Sequence, residues 1–277
     1  TGTTILAGNT NADFYLKPVT GGTTTQTATA SFGSAQRILS IVGAVRRGSC
    51  SFAAPSTLPD GGIFRDLDET CTVSPAHQAT GRTALFFQAT AAASSASSGV
   101  VRCRLTTTNS VSCNRSVGNG ATAIHWQTVE LPTGLRVERV AGNCQAPPFA
   151  ALLPAAVNPA STFLLSSYAV GAGSNYIDDE DLITARLISS TALEIDFGVP
   201  TSFCGTGNYE VQAVELSGTT VTRGTQDAGI PSASTSLAVA GLPSTSVNTA
   251  LLSQQTVPSA NAPICNFLAR GQMPSAS

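Results

Sequence analysis

Charge is what this 277-residue chain has least of. Charged residues make up 11% of it, against ~25% in an ordinary soluble domain. The net charge of −2 gives no electrostatic reason to expect nucleic acid or an anionic membrane as partner. No apolar run approaches the ~20 residues that a spanning helix needs, so membrane insertion is not expected. The seven cysteines contain no C-x-x-C pair, and only His77 and His125 could join them around zinc, which argues against a metal cluster. G-x-S-x-G, the P-loop, H-E-x-x-H and G-x-G-x-x-G are all missing. With them goes any direct pointer to enzyme chemistry.

Thr, Ser, Ala and Gly fill the place of the charges, beside a hydrophobic share of 42%. That is enough apolar material for a sizeable core at this length, under a surface that is polar but uncharged. Scattered cysteines in such a chain imply disulfides and an oxidising compartment. The opening at Thr1, without Met, basic segment or apolar stretch, reads as a mature secreted product. Cys103 and Cys113 fall on neighbouring strands of one hairpin, where a bridge needs only a matching register. Cys50 with Cys71 and Cys144 with Cys204 would each close a loop inside one unit, and Cys265 is left over.

Period-two alternation organises the chain. Val101, Cys103 and Leu105 alternate with polar residues, and after a Thr/Asn/Ser turn Val111 and Cys113 do the same. Ile183, Ala185 and Leu187 are followed likewise by Leu193, Ile195 and Phe197. Both stretches read as half-buried antiparallel strands. Each runs into Gln-x-Val-Glu-Leu, at 127–131 and again at 212–216. "TALFFQAT" at 83–90 resembles "STFLLSSY" at 161–168 and "NTALLSQQT" at 248–256, and the tags "VRRG" (45–48), "VERV" (137–140) and "VTRG" (221–224) open successive stretches. Recurrence in one order points to a repeated unit of about 85–90 residues.

The expected fold class is therefore all-β: tandem antiparallel β-sandwich domains of jelly-roll or immunoglobulin-like type. Residues 48–137 and 138–221 form two whole domains. Residues 222–277 carry the opening half of a third, and residues 1–47 read as a closing half. An unfinished sandwich leaves its core and backbone groups uncovered. Strand donation from another copy would complete it, and a head-to-tail contact that does not close builds a filament. Phe14, Leu16, Val19, Ile38, Leu39, Ile41 and Val42 are the expected donor residues; Leu251, Leu252, Ile264, Phe267 and Leu268 line the expected acceptor. The functional expectation is a secreted, homopolymeric structural subunit of an extracellular fibre. The alternative is a tandem β-sandwich adhesin or carbohydrate-binding protein, monomeric or closed within one chain.

Other candidate chemistry is sparse. Trp126 aligns with Val211 and reads as core; its neighbour His125 aligns with Glu210 and reads as surface, since adjacent strand residues face opposite ways. Asp178, Asp179, Glu180 and Asp181 offer hard oxygen ligands for calcium, the one cofactor suggested. The EF-hand spacing is absent, and a solvated acidic loop is the plainer reading. Tyr15, Tyr168, Tyr176 or Tyr209 could supply the exposed aromatic of a glycan or surface-ligand site. "NRS" at 114–116 is a glycosylation sequon.

Overall fold

The computed structural model describes residues 25–32, 35–60, 62–92, 99–115, 118–169, 183–196 and 207–223. Over these residues it is all-β, with sixteen strands in six small antiparallel sheets among the described residues. A hairpin of β1 (Thr25–Phe32) and β2 (Ala35–Val42) comes first. β3 (Ala44–Phe52) then opens a first strand set. A ribbon of β4 (Ser56–Thr57) and β5 (Ile63–Phe64) follows, then β6 (Asp68–Thr72), β7 (Thr83–Ala92), β8 (Arg102–Thr107), β9 (Ser110–Asn114) and β10 (Ala121–Glu130). The second set comprises β11 (Leu135–Asn143), β12 (Phe149–Leu152), β13 (Thr162–Ala169), β14 (Thr184–Leu187), β15 (Ala192–Asp196) and β16 (Asn208–Leu216).

The sheets are ordered β3-β10-β7 and β6-β9-β8 in the first set, β11-β16-β13 and β12-β15-β14 in the second. With the β4–β5 ribbon set aside, the two orders are identical. The opening strand pairs with the closing one, which pairs with the third; the second pairs with the fifth, which pairs with the fourth. The breaks between sets fall at Gly43 and at 131–134. Residues 44–47, given to the N-terminal arm by sequence, thus pair with β10 of their own chain. Residues 135–137 likewise open the second set rather than end the first. The tags VRRG and VERV lie inside opening strands, because a strand starts where pairing starts and not at its most recognisable residues.

Each set buries one cluster drawn from both of its sheets. In the first, Phe52, Leu85, Ile124 and Trp126 meet Cys71, Val73, Cys103, Leu105, Val111 and Cys113. In the second, Tyr209, Val211 and Ala213 meet Phe149, Ala151, Leu153, Val157, Ile183, Leu193 and Ile195. The alternation in sequence supplies these residues: β9 and β15 both bury their second and fourth positions, Val111 and Cys113 in one, Leu193 and Ile195 in the other. Arg115 is buried beneath the first core. Its guanidinium donates to the carbonyls of Asp66, Gly120 and Ala53 and to Thr122 Oγ1, and lies 4.6 Å from the Phe52 ring centroid. A buried cation survives only when its donors are matched in this way.

Two cysteine pairs are joined. Cys103 and Cys113 lie directly opposite on β8 and β9, with Cα atoms 4.1 Å apart, and Cys50 of β3 bonds to Cys71 of β6 across the two sheets, 5.6 Å apart. Cys144 is also disulfide-bonded, to a cysteine outside the described residues, where Cys204 and Cys265 both lie. Among the described residues no helix is long and apolar enough to cross a membrane.

Candidate functional site at the seam between the strand sets

β16 is buried on both faces: Tyr209 to Val214 are all buried. Tyr209, Val211 and Ala213 enter the second core. Glu210, Gln212 and Val214 point the other way, onto the first set. The seam follows from an edge problem. β7 and β8 each end a sheet of the first set, and an edge strand presents backbone groups with no partner strand.

Side chains from the outward face of β11-β16-β13 take that partner's place. The Gln212 amide behaves as a short strand: Oε1 accepts from Leu85 N–H at 3.0 Å and Nε2 donates to Leu85 C=O at 2.9 Å. Arg139 donates to the carbonyls of Thr80 and Thr83. Ser167 Oγ meets Cys103 N at 3.4 Å and Cys103 O at 3.3 Å on the β8 edge. Asn114 Nδ2 donates to Asn208 Oδ1 at 3.2 Å, while its Oδ1 accepts from Arg102. The sequon's amide is thus committed to the seam. An apolar strip of Ala84, Leu135, Val137 and Val214, with Leu131, Phe163, Leu165 and Leu216 packed against it, completes the contact.

The seam holds a buried acid. Glu210 is 3% exposed, and burial pushes its carboxyl up to about 7, against the pull of Arg139, Arg102 and Arg104. The same dry surroundings lower Arg139 and Arg102. Sequence had ranked Glu210 an exposed-type position; the covering neighbour, a non-local contact, reverses that.

The seam geometry recurs at the far end of the second set. Beyond β16, Arg223 donates to the carbonyl of Thr162, and Val221 N donates to Ala160 O at 2.8 Å. Thr162 stands in β13 where Thr83 stands in β7. Each follows a 3₁₀ turn, at Thr80–Arg82 or Pro159–Ser161. Each returns its hydroxyl to the carbonyl four residues back, Ala79 at 2.7 Å or Asn158 at 2.6 Å. Arg223 of VTRG therefore does to Thr162 what Arg139 of VERV does to Thr83.

A second polar cluster lies in the first set. His77 Nε2 is 2.6 Å from Thr128 Oγ1 and its Nδ1 is 3.2 Å from Glu130 Oε2. Glu130 Oε1 accepts from the amides of Gln78 and Ala79, both at 2.9 Å. The order hydroxyl, imidazole, carboxylate is that of a nucleophilic relay. Here Thr128 is 0% exposed and the His77 side chain 0%, so Thr128 has no route to a substrate. The cluster clamps the 75–82 segment onto β10. The sequence raised His77 only as a possible zinc partner of the cysteines, although Val73-Ser-Pro-Ala-His77 and Leu153-Pro-Ala-Ala-Val157 share a spacing that could have marked it as a core position.

Of the other residues singled out by sequence, Trp126 is buried and His125 exposed. Tyr209 is buried against Phe149, ring centroids 5.6 Å apart, which removes it as a glycan platform; Tyr168 is half-buried. Ile38, Leu39, Ile41 and Val42 lie in β2, which pairs with β1. Phe14, Leu16, Val19, Tyr15, Tyr176, the acidic run Asp178, Asp179, Glu180 and Asp181, and Leu251, Leu252, Ile264, Phe267 and Leu268 lie outside the described residues. Among the described residues no group of three or more His, Cys, Asp or Glu side chains is placed to hold a metal ion. No family model, curated protein sequence or solved structure matches this chain.

Proposed function

We propose that this protein is a secreted structural subunit built by stacking copies of one two-sheet β-sandwich unit, and that it polymerises head to tail into an extracellular fibre. Residues 44–130 and 135–216 are the first two units, and Val221 opens a third. N-terminal strands of a neighbouring copy complete that third unit. The observation that carries this reading is the repeated clasp: Arg139 on the Thr83 carbonyl, then Arg223 on the Thr162 carbonyl. One docking operation used twice in the same direction is what an end-to-end assembly needs, and an operation that does not close on itself extends without limit.

Negative-stain imaging and size-exclusion at rising concentration test the proposal. Full-length chain is expected to form long polymers, and a variant lacking residues 1–35 to remain a folded single species. Fibres that persist unchanged in the truncated chain would rule out N-terminal donation. A small species of fixed size at every concentration would instead favour the adhesin, closed within one chain.

A further inference from the structure

The two strand sets treat one pair of matching edges in opposite ways. β8 is the edge that the seam covers; β6 and β12 end their sheets on the other side, away from β8 and β14. Leu153 N donates to Thr191 O at 2.9 Å, continuing the β12–β15 ladder. Backbone groups of successive strand residues point to opposite edges. Ala151 and Leu153 therefore serve β15, while the N–H and C=O of Ala150 and Leu152 point to the free edge. No described residue bonds to those four groups. The side chains of Ala150 and Leu152 are exposed as well, Leu152 at 73%. The bond from Val73 N to Asn109 O sets the same phase in β6, where Thr70 and Thr72 hold the outward positions. That edge carries Asp68 and Glu69, with Asp66 just before it, whereas residues 149–153 carry no charge. Charges on an edge keep other strands away, and β12 has none.

We propose that β12 pairs antiparallel with β12 of a second copy, across a two-fold axis at Ala151, so that β12-β15-β14 of both copies become one continuous sheet. The register follows from the phase and from two prolines. Only Ala150 and Leu152 offer outward groups, so Ala150 exchanges both bonds with Leu152 of the second copy, and Leu152 with its Ala150. A shift of two residues either way would set Leu152 against Pro148 or Ala150 against Pro154, neither of which has an N–H to give. Ala151 then meets Ala151 in the closer, non-bonded kind of pair, where a small side chain fits. Exposed Leu152 lies beside exposed Ala150 of the other copy, large against small, on the outer face of the joined sheet. The occupant is a second copy because this edge answers itself in donors, acceptors and side-chain size, with no like charges opposed. The same operation at β6 would press two acidic strands together. A two-fold contact closes on itself and gives a pair. The inference goes beyond the fibre reading and does not need it; in a fibre, this edge would join two stacks side by side.

Sedimentation velocity of full-length protein at rising concentration, with negative-stain imaging, tests it. Wild type is expected to pair, as dimers or as polymers two chains wide. Leu152→Lys sets a charge in the contact, and Ala150→Pro removes an N–H that bonds nothing within the chain. Each should raise the concentration needed for pairing by about tenfold or more, with thermal melting unchanged below that concentration. Thr72→Lys, the matching change on exposed β6, should leave pairing as it is. Mixing Leu152→Lys with Leu152→Glu should restore it, since the two charges then meet diagonally across the axis. Cross-linking reads the register. An equal mixture of Ala150→Cys and Leu152→Cys should cross-link several-fold more than either alone, because 150 lies opposite 152 while like positions lie on the diagonal. Equal cross-linking by Ala150→Cys alone would remove the axis from Ala151 and overturn the proposed pairing. Pairing that is as strong in Leu152→Lys and Ala150→Pro as in wild type would overturn the β12 contact altogether. Wild-type polymers one chain wide would also overturn it and leave the fibre reading standing; wild-type dimers that never lengthen, and that Leu152→Lys dissociates, would do the reverse.

Discussion

The two strand sets solve the same packing problems with different residues. Val73 N and His77 N donate to Asn109 O and Thr108 O, both at 2.7 Å; Leu153 N and Val157 N donate to Thr191 O and Ser190 O at 2.9 and 2.8 Å. His77 therefore stands where Val157 stands, and Glu130 where Glu215 stands. In the first set the carboxylate turns inward to His77 and two backbone amides. In the second, an aliphatic side chain fills the pocket, Glu215 faces Arg136 at 3.8 Å, and Asn158 caps its own turn through the Ala160 amide at 3.1 Å. A similar exchange occurs between the sheets. The first set ties β3 to β6 with Cys50–Cys71, opposite Ile124. The second has Gly142 and Ala151 at those places, and the Tyr209 ring lies over Gly142, where a Cβ would sit 3.1 Å from its hydroxyl. One layer away the aromatic is on the first set's side. Trp126 covers Gly48, where a Cβ would sit 2.5 Å from the indole, and Val211 faces Val140. The backbone order is held constant while bridge, ring and polar clamp are interchangeable ways of filling it.

The most decisive way to break the correspondence is to make one substitution at both members of a pair. Gln212→Leu leaves Leu85 N–H and C=O buried without partners and should cost about 3–4 kcal/mol, from ~1–3 kcal/mol per orphaned group. Gln127→Leu, at the matching but uncovered position, should stay within about 0.5 kcal/mol in the unassembled chain. Denaturant unfolding of the two variants under non-assembling conditions checks this. Equal losses would mean that the first set's face is already engaged within the chain. Next in size is the double variant Cys50→Gly, Cys71→Ala, which gives the first set the second set's residues without its ring. Opening the loop of sequence separation 21 should cost about 3 kcal/mol. Adding Gly48→Val, Ile124→Tyr and Trp126→Val, which moves the aromatic to the layer it occupies in the second set, should recover part of that loss in the same assay.

These pairs also show what a sequence reveals here and what it hides. Alternation in β8, β9, β14 and β15 was legible because each strand buries one face on its own core, a pattern confined to a few consecutive residues. The cysteine pair on the β8–β9 hairpin was legible for the same reason. Glu210 was misjudged because its burial comes from a neighbouring set over a hundred residues away in the chain, and in sequence it alternates like a solvent-facing residue. The burial of His77 and Arg115 was missed because a buried polar group is made tolerable by partners, such as Glu130 or the Gly120 carbonyl, that no local window contains.

The seam should respond to pH through Glu210. Its carboxyl is raised from 4.5 to about 7 in the folded chain, so the folded state holds its proton more tightly than the unfolded state. The stabilisation is complete below about pH 4.5 and disappears as pH rises through about 7, a span worth roughly 3 kcal/mol at most. Glu210→Gln, which keeps the shape and removes the titration, should flatten that part of the stability–pH curve. A curve that keeps its full slope in the variant would place the titrating group elsewhere.

The smallest expected effect tests whether the polar clamp and the aliphatic filling are interchangeable. His77→Val installs the second set's residue in the first set's pocket. It removes one hydrogen bond from Glu130 Oε2 and one from Thr128 Oγ1, while the amides of Gln78 and Ala79 still bind Glu130 Oε1. The net loss should be about 1–2 kcal/mol at neutral pH, since the gained apolar contact offsets part of the lost bonding. The sign with pH is opposite to that of Glu210. Burial lowers the His77 pKa, against the raising influence of the Glu130 hydrogen bond. Its contribution is therefore full above pH 6.5 and is lost as pH falls below that value, when the unfolded chain takes up a proton that the folded pocket resists. His77→Val should thus be less stable than wild type near neutrality and draw level with it in acid. A stability difference that stays constant from pH 7 down to pH 5 would show that the folded pocket takes up a proton as readily as the unfolded chain, so that burial does not hold His77 neutral.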